Sequence, residues 1–366
     1  MRLVGVFLAS MSLLLLLPAS ITASLVERSI SPRWYGVPGG MSDHDIGPWP
    51  IGPPDPMNGN QQPVRYCYAD ANSASKLQPI IAAGIEYWRA AITQTALDIT
   101  VDPGCHHDPS CLCSDLPQPF DALQISLVTE GGTRTTMGYD YTRTDSGRHN
   151  MFVEYPAEES DDKWALTIAH EFGHAIGLEH EHQRPDRDAG VGYSCRNLRG
   201  FAQAVGDVRE ARKLGTIQCG GRKTKKCVED IVCEDPALAK LYFPRAAHYT
   251  KIRNTYWAMS RPFDFTSIMI YSSYGQARDQ DENFPDGTVL VGVDADDKYF
   301  ELWMGGNADP KLARVSAGDL ARVVQLYNMG TPDGTTAQNL PTWAGKDPNA
   351  KRTAPPSTLV TVTISA

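Results

Sequence analysis

The chain reads as an α+β protein. Three observations carry this: short alternating or aromatic stretches that suit strands, amphipathic segments long enough for helices between and after them, and no internal repeat. Residues 64–68 alternate and hold two tyrosines, which predicts a strand. A helix over 73–95 follows, because Ile80, Ile81, Ile85, Trp88 and Ile92 share one face. Residues 123–128 and 150–155 are further strands, and 133–141 between them is a Gly-containing, mostly polar extended segment. The second helix opens at Ser160-Asp161-Asp162, side chains that accept from free helix N–H groups, and runs through Trp164, Ile168, Phe172 and Ile176 to Gly177. A last helix opens at Ser316 with Asp319 three residues on, and carries Leu320, Val323, Val324 and Tyr327.

The flanks differ in composition. Arg2, an apolar run over 3–17 and small residues to Ala23 predict a signal peptide at 1–23. That run is shorter than the ~20 residues of a membrane span, and no other segment approaches that length. Eight prolines and six glycines in 32–63 mark 24–62 as a propeptide or linker, and 331–366 as a polar tail follows the same logic. The expected location is extracellular. Eight cysteines, all after the signal, then favour disulfides, with about 105 connectivities open. Residues 189–260 hold four of them and no clean period, which suggests a disulfide-stapled insertion. Its basic cluster, Arg222, Lys223, Lys225 and Lys226, is read as a solvated face ahead of a substrate-steering loop. A net charge of −9 in 366 residues gives no basic surface for nucleic acid. The oligomeric state is open, with a monomer as the default.

The chemistry concentrates in residues 170–180. Histidines four apart share a helix face, so His170 and His174 can offer nitrogens to one ion. Glu171 sits one residue round, where its carboxylate reaches a metal-bound water without being a ligand. Gly177 can adopt the left-handed conformation that ends a helix and returns His180 to the ion as a third ligand. Three protein ligands with an open fourth position describe a catalytic zinc rather than a structural one.

The run from His170 to His180, followed by Glu181, Arg184, Asp186, Arg187 and Asp188, resembles the signature of the astacin family within the metzincin clan. Ser267-Ile268-Met269-Ile270-Tyr271 is similar to that family's Met-turn. The resemblance implies a metzincin fold over 63–330: an N-terminal subdomain with a twisted mixed sheet and two long helices, and a mostly irregular C-terminal subdomain with a Met-turn and a closing helix. It implies one zinc ion held by His170, His174, His180 and, in the resting enzyme, Tyr271. Glu171 would be the base and Tyr271 a donor to the oxyanion, with Gly177, Met269 and Glu181 in structural roles. The expected activity is zinc-dependent hydrolysis of protein or peptide substrates bound along an edge strand near 133–141. The rival classes are a pseudoprotease acting as a binding protein and a zinc hydrolase of small substrates.

Overall fold

The structure is a computed structural model that describes residues 35–37, 46–50 and 62–327, apart from 107, 118–120, 156–159, 215–223, 253–257, 260–262 and 279–283. The signal segment 1–23, most of 24–62, the tail 331–366, and Arg222 and Lys223 of the basic cluster lie outside the described residues.

Strand β1 (Gln62–Tyr68) lies within the main sheet and buries Val64, Cys67 and Tyr68. Asp70 then accepts from the Ser73 N–H at 2.7 Å and opens helix α1 (Ala71–Glu86). The helix expected over 73–95 is in fact two. At Tyr87 and Trp88 the N–H groups reach back only three residues, to Gly84 and Ile85, before α2 (Arg89–Gln94) begins. Trp88 supplies the reason, since its ring is wholly buried and its indole N–H donates to the Ala169 carbonyl 2.8 Å away. That tertiary contact anchors the break.

Strands β2 (Leu97–Val101), β3 (Leu123–Leu127), β4 (Arg134–Thr135) and β5 (Asn150–Val153) complete a five-stranded sheet in the order β2-β1-β3-β5-β4. The pairs β1–β2, β1–β3 and β3–β5 are parallel, whereas β4 pairs antiparallel with β5 at the rim. The sheet is therefore mixed, as expected, and Arg134–Thr135 is one of its two edge strands. Helix α3 (Asp161–Ile176) packs against α1, so closely that a Cβ on Gly84 would lie 2.5 Å from Ile168 Cγ2. Ser160 caps it, and every residue from Ile168 to its end is buried.

Part of the Pro- and Gly-rich stretch lies in this core. The Trp49 indole donates to the Ala175 carbonyl at 2.8 Å, the Val37 N–H donates to the Gly177 carbonyl at 2.9 Å, and Ile46–Gly47 pairs with Tyr139–Asp140. His149 packs between Trp49 and Tyr139, its Nε2 accepting from the Asp140 N–H at 3.0 Å. Burial, aided by Arg148, lowers this imidazole from the usual 6.5 to about 3. At pH 7 it is neutral in folded and unfolded chains alike. Below pH 6.5 the unfolded chain takes up a proton that the folded one refuses until about pH 3, so stability falls as pH drops through that window. His149→Gln is expected to remove about 1 kcal/mol per pH unit from that slope, read by urea unfolding; an unchanged slope would contradict it.

The C-terminal half is more regular than expected. It contains helices α4 (Phe201–Lys213), α5 (Thr224–Cys233), α6 (Pro236–Tyr242) and α7 (Pro244–Ala247). Strands β6 (Val191–Tyr193), β7 (Leu290–Val293) and β8 (Tyr299–Phe300) form a second sheet. The last two were illegible because prolines at 236 and 244 open helices of only 7 and 4 residues, too short to show a period. A separate core gathers Val205, Val208, Val228, Ile231, Phe243, Tyr249 and Ile270. Disulfides join Cys67 to Cys113, Cys105 to Cys111 and Cys195 to Cys233, and Cys227 is bridged as well. Helix α8 (Ala317–Leu326) closes the fold, opened by the reciprocal Ser316–Asp319 cap. Among the described residues no helix is long and apolar enough to cross a membrane.

Candidate metal centre

Helix α3 sets His170 and His174 one turn apart on its buried side. It ends at Gly177, whose φ is 113°, with the Gly177 and Leu178 N–H groups returning to the Gly173 carbonyl at 3.1 and 2.8 Å. No other residue fits there, because a Cβ would also lie 2.6 Å from Val37 Cγ2. The reversal brings His180 back, its Nε2 3.2 Å from that of His170 and 3.1 Å from that of His174.

Each ring's other nitrogen is committed. His170 Nδ1 faces the Ile268 carbonyl at 2.8 Å, His174 Nδ1 the Leu178 carbonyl at 2.9 Å, and His180 Nδ1 the Gln183 Oε1 at 2.5 Å. These oxygens only accept, so each Nδ1 carries the hydrogen and each Nε2 turns a lone pair toward the others. Three such lone pairs repel unless a proton or a cation lies between them. Protonation is opposed, because burial lowers His170 to about 4 and His174 to about 3, and holds His180 well below the ordinary imidazole range. A cation is the remaining solution. Nitrogens bound tetrahedrally at ~2.0–2.1 Å lie roughly 3.3 Å apart, close to the spacing found here. The three histidines fit zinc and could hold it.

Glu171 lies beside them, buried, with Oε2 lacking a hydrogen-bond partner. Burial pushes its carboxyl up to about 7, opposed by the Thr135 hydroxyl and the Arg134 charge on β4. A cation in the centre would oppose the shift further. Tyr271 also reaches the cluster, its ring centroid 4.7 Å from that of His180 and 5.9 Å from that of His170. Burial raises its phenol above the ordinary range, and the nearby charges of Glu171 and Glu179 add to this.

The floor is built by residues 264–271. Met269 is buried under α3, where a Cβ on Gly173 would lie 2.3 Å from its Sδ. Its carbonyl accepts from the Glu181 N–H at 3.0 Å, while the Glu181 carboxylate accepts from Arg184 at 2.6 Å and the Asp264 N–H at 2.8 Å. Asp319 holds this floor in place. It accepts from Ser267 Oγ at 2.7 Å, the Ile268 N–H at 2.8 Å and the Ser316 N–H at 3.1 Å, and Ile268 is the residue whose carbonyl orients His170. Asp319→Asn puts an amide donor where an N–H or O–H must be accepted, and is expected to cost about 1–3 kcal/mol. Urea unfolding checks this, with unchanged stability as the contrary result.

All the residues singled out from sequence, His170, Glu171, His174, His180 and Tyr271, are thus brought together, with Gly177, Met269 and Glu181 around them. Gly173, Gln183 and Asp319 were not singled out for the site. Asp319 carried a readable signal, but only as a helix cap.

Residues 155–212 match the family model for the astacin peptidases. That stretch is astacin-like. It includes the three histidines and Gln183, whereas Met269, Tyr271 and Asp319 lie beyond it. Nematocyst expressed protein 6 of Nematostella vectensis is 31% identical over 88 residues, which cover 24% of this chain and only 28% of the relative. Among solved structures, the medaka (Oryzias latipes) hatching-enzyme zinc-protease high choriolytic enzyme 1 is similar at 14% identity and a TM-score of 0.40, over 79% of this chain and 98% of its own. Myroilysin is similar at 13% identity and a TM-score of 0.39, over 78% of this chain and 97% of its own.

Proposed function

We propose that the protein is a secreted zinc-dependent endopeptidase. The observation that carries this is the convergence of three Nε2 lone pairs beside the unpartnered, buried Glu171 Oε2. His170, His174 and His180 would hold the zinc, with Tyr271 as a further ligand at rest. When bound, zinc supplies Lewis acidity that polarises a peptide carbonyl and makes water more acidic.

The chain's own residues do the rest. Glu171 accepts a proton from the attacking water and delivers it to the amine nitrogen as the C–N bond breaks. Tyr271 donates its phenolic hydrogen to the carbonyl oxygen as negative charge grows there. Arg134–Thr135 is paired on one side with Phe152 and Met151, and no described strand pairs with its other side. An extended peptide adding to that edge would lie beside α3 and Glu171. Disulfides and the apolar start of the sequence support export, with 1–23 as the signal, 24–62 as propeptide or linker, 63–330 as the catalytic domain and 331–366 as a tail. The protein acts as a monomer in this reading.

Incubating the purified protein with a denatured protein and with small esters and dipeptides tests the substrate class. New internal termini in the protein substrate are expected. Turnover of the small compounds alone would overturn the endopeptidase reading, and full zinc loading without any turnover would favour the binding-protein alternative.

A further inference from the structure

The insertion 189–260 has no role in the chemistry above, yet its turn at 247–250 bonds to His182, Gln183 and Arg187 of the zinc run. Gln183 is buried, and its Nε2 lies 2.9 Å from the Thr250 carbonyl and 3.3 Å from the Ala247 carbonyl. Carbonyls only accept, so that end of the side chain must be the NH₂ group. The oxygen then faces His180 Nδ1 at 2.5 Å, which requires the hydrogen on Nδ1 and leaves Nε2 free for a metal. Glu179 Oε1 is a poorer partner for that nitrogen, 3.3 Å away and already accepting from the His180 N–H at 2.7 Å.

The turn is fixed by the rest of the run and by the second core. His182 Nε2–H donates to the His248 carbonyl at 2.9 Å, Arg187 donates to the Tyr249 carbonyl, and the Ile252 N–H donates to the Gln183 carbonyl at 2.8 Å. Ala246 and Tyr249 beneath are wholly buried. His170 and His174 stand on a rigid helix, but His180 lies past its end and needs another support.

We propose that Gln183, locked by the carbonyls of Ala247 and Thr250, is the positioning residue of the third ligand. The insertion is then a buttress for His180. This rests on the reading that the three histidines hold zinc.

Zinc affinity measured by competition with a chromophoric chelator tests it, on wild type, Gln183→Met and Gln183→Glu. Thermal unfolding of the zinc-free proteins serves as the control for folding. Methionine keeps the bulk but accepts no strong hydrogen bond, and is expected to weaken zinc binding about 10–100-fold. Glutamate, held neutral by burial, can donate its O–H to the Thr250 carbonyl while its C=O accepts from Nδ1–H, and is expected to restore affinity to within about threefold of wild type. Wild-type affinity in Gln183→Met would overturn the proposal. Equal losses in both variants would also overturn it, because the effect would then follow packing and not the hydrogen bond. Absence of zinc binding by wild type would instead sink the metal reading itself.

Discussion

Glu171→Gln is expected to lower kcat/KM on a protein substrate by about 10²–10⁴-fold while leaving the zinc content at the wild-type level. The substitution is nearly isosteric and changes what the side chain can do to a proton. A carboxylate accepts one from water and gives it to the leaving nitrogen; an amide does neither. The loss should fall on kcat, with KM almost unchanged, because proton transfer occurs only on the way to the transition state. Zinc binding should persist, since the three Nε2 atoms and their Nδ1 partners do not involve Glu171. Stability should hold or rise, because the variant removes a buried group whose charged form is disfavoured. Cleavage at the wild-type rate would remove Glu171 from the mechanism.

His180→Ala is expected to cost more in zinc affinity than the ~10–100-fold that follows loss of an outer partner. It removes one ligand of three and leaves His170 and His174 facing a gap. The fold should survive, because α3 is held by Trp88, Trp49 and Val37 rather than by His180. Linkage gives the readout. Zinc at 100 times its Kd should stabilise wild type by about 2.7 kcal/mol, and the same concentration should leave the variant almost unmoved. Equal stabilisation of both proteins would place the metal elsewhere.

The site was legible where its chemistry is local. Residues 170–180 carry two ligands, the base, the reversing glycine and the third ligand within one short run, and the left-handed Gly177 was anticipated from residue type alone. The segment 133–141 was legible as extended and mostly polar, and part of it is an edge strand. What the sequence hid depends on distant partners. Trp88 breaks its helix for a carbonyl 81 positions away, and Gln183 finds its acceptors 64 and 67 positions on. Backbone carbonyls leave no mark in a sequence. Trp49 and Val37 were concealed differently, inside a proline- and glycine-rich stretch whose composition suggested no core, although both are wholly buried.

Peptide hydrolysis should require one zinc held by His170, His174 and His180. Stripping the purified protein with a chelator and titrating zinc back, while following internal cleavage of a denatured protein, tests that requirement. Activity should be absent at the start, rise in proportion to added zinc, and level off at one equivalent. Full activity in the metal-free protein would contradict the account.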